Sequence, residues 1–450
     1  MRGTLAAVVV SLLLAACTVE TTAGPLSPTP APSPVPSPEQ STPASPTEQP
    51  EQPEPDFTQP LVITVGAASR PRNISEARAR RVVAGTARGW ERAQVMPASR
   101  VGPQVQVVRV SGVDPMREPN RYPIRTAAPR SQQPVVTVSV VGDIMLGRGV
   151  GAAARAAGVV APQLRRMRAR LSAADITVGN LESTLSRAGA PTQGGDSFAA
   201  DPRVARALRA AGFDALSLAN NHAGDFGDRA LVQTVRRLRA GGVRTFGAGA
   251  SPRVAWQPVV LDRAGVRFGF LGFNAIGETP EVRAGRPGAV SVSMPPRTGP
   301  LDRAELDRFL RAVSRLGRTV DVVVVLPHWG TQYTNVPEPI QRMVARRLVG
   351  SGADLVVGGH PHWVQGTEMV DGRLVVHSLG NYVFDMDFSE ETQKGLVLEL
   401  TYWGSDLKSA DFVPYQMDET FTPRVVSWRR GLETLRLMWE TSGPAFRRAR

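Results

Sequence analysis

Cysteine is nearly absent from this chain: Cys17 stands alone among 450 residues, which excludes an internal disulfide framework. Lysine is almost as scarce. Lys394 and Lys408 are the only two, so the formal net charge of +13 rests on arginine. Codon usage in a GC-rich genome accounts for that bias without any partner. An arginine-rich surface also attracts polyanions such as wall polymers, lipid head groups and polycarboxylates. No basic stretch is interleaved with aromatics in a binding pattern, so nucleic acid is not expected as a partner. Long apolar runs are missing as well. The run 5–14 is too short for a stable transmembrane helix, and no other segment is longer in apolar character. What remains is 42% apolar residues over a length that suits two or three domains with a real core.

The place of the single cysteine is informative. Cys17 follows Leu14-Ala15-Ala16, with Arg2 and the short apolar run upstream. This resembles a bacterial lipoprotein signal, cleaved before a lipidated cysteine. Residues 1–16 then read as the signal peptide and Cys17 as the lipid attachment point. The chain is expected at the bacterial cell surface, anchored to the outer face of the cytoplasmic membrane. Residues 17–60 are Pro, Ser, Thr and Glu with almost no large apolar side chain. Such a segment cannot bury enough surface to offset its ordering entropy and reads as a disordered tether. Residues 61–130 carry a modest pattern, with strands at 61–65 and 105–110 and a helix at 74–90. This accessory α/β segment is assigned no chemistry.

From residue 135 the pattern changes to strand–helix units. The run 135–141 is almost continuously β-branched, as in a strand buried on both faces, and 175–178, 215–218, 268–273, 320–326 and 355–357 read alike. Helices are expected at 162–171, 202–211, 228–240, 302–316 and 339–349. Asp262-Arg263-Ala264-Gly265 and Asp371-Gly372 look like hairpin turns, so antiparallel strands are mixed in. The expected domain is a mixed α/β sandwich over 135–412, followed by an extension, 413–450, with a basic amphipathic docking helix over 432–450.

All five histidines fall at strand ends or in the loops just beyond them, where open α/β sheets place their sites. Val141-Gly142-Asp143 puts a carboxylate at the first strand tip, and Gly147 and Gly149 keep the next turn open. Gly179-Asn180-Leu181-Glu182 repeats the arrangement on the second strand. Asn220-Asn221-His222 offers amide oxygens and an imidazole after the third. Pro327-His328-Trp329-Gly330 and Gly358-Gly359-His360-Pro361-His362 end two later strands. A His-x-His on an extended segment points both rings to one side, and the glycines before it let the backbone approach ligands. Singly, each Asp is as well explained as a cap and each His as a satisfied loop residue. Together, mixing Asp, Asn and His in one pattern, they indicate a divalent-metal site. His377, before Ser378-Leu379-Gly380-Asn381, suits a loop-fixing or ligand-orienting role better than ligation. Adjacent residues on a strand-end loop point apart, so Asn221 and His222 are expected to serve different partners. Trp329, Tyr333, Trp363 and Tyr382 flank the clusters, with packing as their default explanation.

In order, Gly142-Asp143-Ile144-Met145-Leu146, Gly179-Asn180-Leu181-Glu182, Ala219-Asn220-Asn221-His222, Pro327-His328-Trp329-Gly330, Gly359-His360-Pro361-His362 and Ser378-Leu379-Gly380-Asn381-Tyr382 resemble the CapA-type poly-γ-glutamate capsule-synthesis proteins. That family resembles a branch of the calcineurin-like metallophosphoesterases. The resemblance implies a four-layer αββα sandwich of the metallophosphoesterase type around one or two metal ions (Mn, Fe or Zn). It implies Asp143, Asn221, His328, His360 and His362 as metal ligands and His222 as the proton donor to a leaving group. Met145 stands where the phosphoesterase pattern has a histidine, and Asn180 where it has a bridging Asp; Glu182 is the implied substitute. Asn180, His377 and Asn381 are the implied supports of the ligands. Three functions follow. One is a metal-dependent component of poly-γ-glutamate or related wall-polymer synthesis or processing, with an anionic polymer and polymer-synthase proteins as partners. Another is a phosphate-ester hydrolase in which Arg148 holds oxygens and His222 protonates the leaving group. The third is a non-catalytic assembly or binding protein.

Overall fold

A computed structural model describes residues 58–70, 72–129 and 132–447. The expected signal peptide, Cys17 and nearly all of the expected tether lie outside the described residues. Two mixed sheets face each other. The first runs in the order Arg244–Phe246, Ala215–Ser217, Ile176–Leu181, Val135–Ile144, Lys394–Trp403, Asp406–Met417 and Pro423–Val425, with Asn381–Val383 also pairing with Val135–Ile144. Its first four strands are parallel, and Lys394–Trp403 and those beyond it are antiparallel. The second runs Val259–Arg263, Val266–Asn274, Val322–His328, Leu355–Val357, Arg373–Val376 and Thr367–Val370, parallel within and antiparallel at both edges.

The apolar runs explain the layers. Val136, Val138 and Val140 of the first sheet meet Phe268, Phe270, Val322 and Leu355 of the second in one buried cluster. The opposite face of the first sheet packs Ile144, Leu181 and Leu216 against Val150, Leu208 and Leu231 on the helices Arg148–Ala156, Val204–Ala210 and Gly227–Ala240. The opposite face of the second packs Val323, Val325 and Val356 against the helices Arg303–Gly317 and Pro339–Gly350. Strands buried on both faces need continuous β-branched runs, and these have them. The result is the four-layer αββα sandwich expected.

Local chemistry sets most boundaries. Asp302 caps Arg303–Gly317 by accepting from the amides of Ala304 and Glu305 at 2.8 and 3.0 Å. Asp371 and Gly372, at φ 45° and 76°, close the tight hairpin that pairs Val370 with Arg373. Several expectations are corrected. The helix expected over 162–171 is a 3₁₀ turn, Pro162–Leu164, and a short helix, Arg168–Leu171. Gln163 is drawn inward there, and its amide donates to the carbonyls of Val150 and Thr420 at 3.4 and 3.2 Å. The helix expected over 74–90 spans Glu76–Val83, because Gly85 turns left-handed at φ 72° just beyond it. The turn expected to stay open after Asp143 instead starts the helix Arg148–Ala156.

Residues 58–129 build a small sheet in which Thr58–Gly66 pairs with Gln94–Pro97, Val105–Val107 and Arg125–Pro129. The expected strand 105–110 is broken there, its second part, Arg109–Val110, pairing with Asn73–Ile74. This lobe joins the sandwich through the Trp403 indole, which donates to the Met116 carbonyl at 2.8 Å, and through Arg117 on Glu399 at 2.8 Å. The C-terminal helix is Trp428–Thr441, earlier than the expected 432–450, with Ser427 as its cap. Its Leu435, Met438 and Trp439 close one side of the core between the sheets. Among the described residues no helix is long and apolar enough to cross a membrane.

Candidate metal centre

The carboxyl ends of both sheets lie together, and the strand-end residues converge there. Asp143, near the end of Val135–Ile144, is fully buried. Its Oδ1 accepts from the Asn180 amide at 2.8 Å and its Oδ2 from the His360 backbone N–H at 2.9 Å. Glu182, one residue past Ile176–Leu181, is equally buried, and its Oε1 accepts from Asn180 at 3.0 Å. His328 ends Val322–His328, with Nε2 2.9 Å from Asn221 Oδ1 and 3.6 Å from Glu182 Oε1. Ligand atoms of Asp143, Glu182 and His328 lie within 4.8 Å of one another, a spacing that suits one ion. The close approach depends on Gly359: a Cβ there would sit 2.5 Å from Asp143 Oδ1.

His360 and His362 complete the ring from the other sheet, but not on an extended segment as expected. Both have positive φ, 94° and 59°. The turn arises because the His360 N–H reaches back to Asp143, and it still leaves the two rings 5.6 Å apart. His362 Nδ1 lies 2.8 Å from Asn381 Oδ1, and the Asn381 amide donates to the Thr392 carbonyl at 3.0 Å. That second bond presents the oxygen of Asn381 to the ring, so Nδ1 carries the proton and Nε2 keeps its lone pair.

Asn221 and His222 were expected to point apart; instead Asn221 Nδ2 meets His222 Nε2 at 3.0 Å. The chain turns here, because the His222 N–H bonds back to Asn220 Oδ1 at 3.0 Å. His222 Nδ1 lies 3.0 Å from Asp225 Oδ2, its ring stacks on Phe198 at 3.9 Å, and its Nε2 is 3.9 Å from Glu182 Oε2. Arg148 sits at the edge of the cluster. Its Nε donates to Asp385 at 3.2 Å, its other nitrogens reach Asp385 and Asp196, and its guanidinium lies 4.6 Å from the Phe198 ring centre. His377 is not brought to the cluster. Its Nε2 bonds Glu368 at 2.9 Å, its ring packs on Trp329, and its carbonyl accepts from the Trp329 indole at 3.1 Å.

The electrostatics follow from burial. The Glu182 carboxyl is held well above the usual carboxylate range, chiefly by burial and then by the neighbouring Asp143 charge. His328 and His360 are pushed well below the ordinary imidazole value by burial first, then by His362 and His222 in both cases and by His328 in the case of His360. His362 is lowered by burial, with Asp143 and Asn381 opposing. Both ring nitrogens of His360, and Glu182 Oε2, are buried with no hydrogen-bond partner among the described residues. Imidazoles beside carboxylates, with the His360 nitrogens and Glu182 Oε2 unused, are the donor set a divalent ion takes. Asp225, Phe198 and Asp385 belong to the site without having been singled out in the sequence. Of these Asp225 had a signal, its place three residues after His222 on one loop.

The family model for "Bacterial capsule synthesis protein PGA_cap" matches residues 137–386, more than half of the chain and every cluster residue described above. The chain belongs to the PGA_cap family. Within it, the chain is 30% identical over 273 residues to a capsule biosynthesis protein CapA of Bacillus anthracis, covering 58% of this chain and 63% of that protein. It is 29% identical over 273 residues to a PGA biosynthesis protein CapA of Bacillus subtilis, covering 58% and 67%. This PGA_cap chain thus spans just under two thirds of the length of the first of these relatives. A solved phosphatase from Mycoplasma pneumoniae aligns over 64% of this chain and 97% of its own, at 10% identity and a TM-score of 0.40. The small N-terminal sheet and the C-terminal helix lie outside the family match.

Proposed function

We propose that this protein is a surface-anchored component of poly-γ-glutamate capsule, or related wall-polymer, synthesis or processing, built around a divalent-metal centre. The observation that carries the reading is the unsatisfied centre itself. Glu182 Oε2 and both nitrogens of His360 are buried beside Asp143 and His328 without hydrogen-bond partners among the described residues. Leaving such groups unpaired costs roughly 1–3 kcal/mol each, so a ligand that takes them is expected. Asp143, Glu182, Asn221, His328, His360 and His362 hold one or two ions of Mn, Fe or Zn in this reading, with Asn180 and Asn381 orienting them. A bound ion of this kind supplies Lewis acidity and eases deprotonation of water. The rest falls to the chain. Asp225 fixes the His222 proton on Nδ1 and orients the ring, which leaves Nε2 as the nitrogen that serves a leaving group. Asp385 holds Arg148 where it can meet an anion. Cys17 anchors the chain to the outer face of the cytoplasmic membrane, where an anionic polymer and polymer-synthase proteins are its partners.

Metal content decides the central point. Purified protein should carry Mn, Fe or Zn by elemental analysis, and His360→Ala should carry less; an unchanged stoichiometry would remove the basis of the reading. A second reading, hydrolysis of a phosphate ester, is favoured by the His222–Asp225 pair, which a purely binding protein does not need. Phosphate release from simple esters by the metal-loaded protein tests it, and complete inactivity with normal metal would favour the non-catalytic assembly role.

A further inference from the structure

The mouth of the centre has two unlike walls. One is cationic: Arg148, tied to Asp385 and Asp196. The other is aromatic. Tyr333 stacks against His362 with ring centres 6.1 Å apart at 27°, and Phe388 meets Tyr333 edge-on at 5.3 Å and 90°. Trp363 stands near Tyr333 at 6.5 Å. Phe388 is 65% exposed and Tyr333 38%, so Phe388 is the most exposed large hydrophobic among the described residues. Neither exposure serves the core. Tyr333 also holds a left-handed φ of 60°, kept by its N–H on the Pro361 carbonyl at 2.9 Å. Strained backbone beside a site is characteristic of residues placed for contact and not for packing.

The two walls are mechanically joined. Asp385, which grips Arg148, lies three residues before Phe388 on one loop. The Tyr333 hydroxyl is pushed up by burial first and then by the charge of Asp196, with Arg148 opposing and Glu182 adding to the rise. A ligand whose oxyanion enters between Arg148 and the imidazoles therefore lays whatever is attached to it across Tyr333 and Phe388. Exposed aromatic faces take flat, weakly polar groups by stacking, without regard to their detailed sequence of atoms.

We propose that Tyr333 and Phe388 form a recognition ledge, and that the centre takes oxyanions carrying a flat π-faced group, an aryl ring or an amide plane, next to the charge. This rests on the metal-centre reading above. The test is calorimetric titration of the metal-loaded protein with phenylphosphonate and with methylphosphonate, which share the oxyanion and differ in the flat group. Wild type should bind phenylphosphonate about tenfold more tightly, the size of one stacking contact. Phe388→Ala should bring that ratio close to one while leaving methylphosphonate affinity and metal content as they were, and Phe388→Tyr should keep the preference. A preference that survives Phe388→Ala and Tyr333→Leu, or that wild type never shows, overturns the ledge alone. Metal uptake without binding of either phosphonate overturns the ledge and the ester reading but leaves the metal centre standing. Protein that takes up no metal ends all three.

Discussion

His222 is where ligand and acid meet as alternatives. Its Nε2 is 3.0 Å from Asn221 and 3.9 Å from Glu182, near enough to the carboxylates to ligate, while Asp225 at 3.0 Å holds the other nitrogen as it would for a proton donor. If it donates a proton, His222→Ala should keep metal near the wild-type level and cut turnover by about 10²–10⁴-fold. An ester with a nitrophenolate leaving group should recover part of that loss. Metal loss equal to that of His360→Ala would make it a ligand. Glu182 sets a second expectation. Its carboxyl is held well above the ordinary 4.5, so the metal-free fold keeps it protonated while the unfolded chain ionises it. Metal-free stability is therefore expected to fall as pH rises past 4.5 toward the raised value, and a cation must displace the proton to bind. Metal affinity should then rise by about tenfold per pH unit below that raised value. Titration in buffers of different ionisation heat should show proton release, and Glu182→Gln should abolish it. A pH-independent affinity in wild type would contradict the burial argument.

At the scale of elements, the helix Trp428–Thr441 shows packing overruling propensity. Alanine is better than glycine in a helix by about 1 kcal/mol. Yet a Cβ on Gly431 would sit 2.3 Å from Pro414 Cγ, an atom in a rigid ring on the neighbouring strand Asp406–Met417. Overpacking typically costs about 1–3 kcal/mol, so Gly431→Ala should lower the melting temperature, as differential scanning calorimetry would show. A higher melting temperature would mean that the helix slides freely over the sheet. The same competition explains the boundaries that sequence periodicity misplaced. The pattern over 162–171 is helical, but the buried amide of Gln163 bonds Val150 and Thr420, and no local rule anticipates carbonyls supplied from elsewhere in the chain. Where a cap or turn residue is itself decisive, as at Asp302 or Asp371-Gly372, the expectation and the structure coincide to within a residue or two.

For the molecule as a whole, surface attachment is the expectation that remains to be measured. Cys17→Ser should move the protein from the membrane fraction to the soluble one, or block its processing; fractionation and migration like wild type would refute the anchor. The sandwich and the strand-end position of its chemistry were readable in the chain, because β-branched runs demand burial on both faces and all five histidines sit where parallel strands end. The pattern offered Asp143, Glu182, Asn221, His222, His328, His360 and His362 at strand ends, and the family resemblance divided them into ligands and proton donor. Their geometry could not be read from it. His360 and His362 turn left-handed because one backbone N–H reaches Asp143, and Asn221 touches His222 because Asn220 bends the loop. His377 falls on Glu368, nine residues earlier in the chain, away from the cluster. Residue type and spacing determine which groups are offered at a strand end, since those depend on local propensity and burial. Which of them face one another is decided by particular hydrogen bonds: some are local, as between His222 and Asn220, and others, as between His360 and Asp143, exist only once the two sheets have packed.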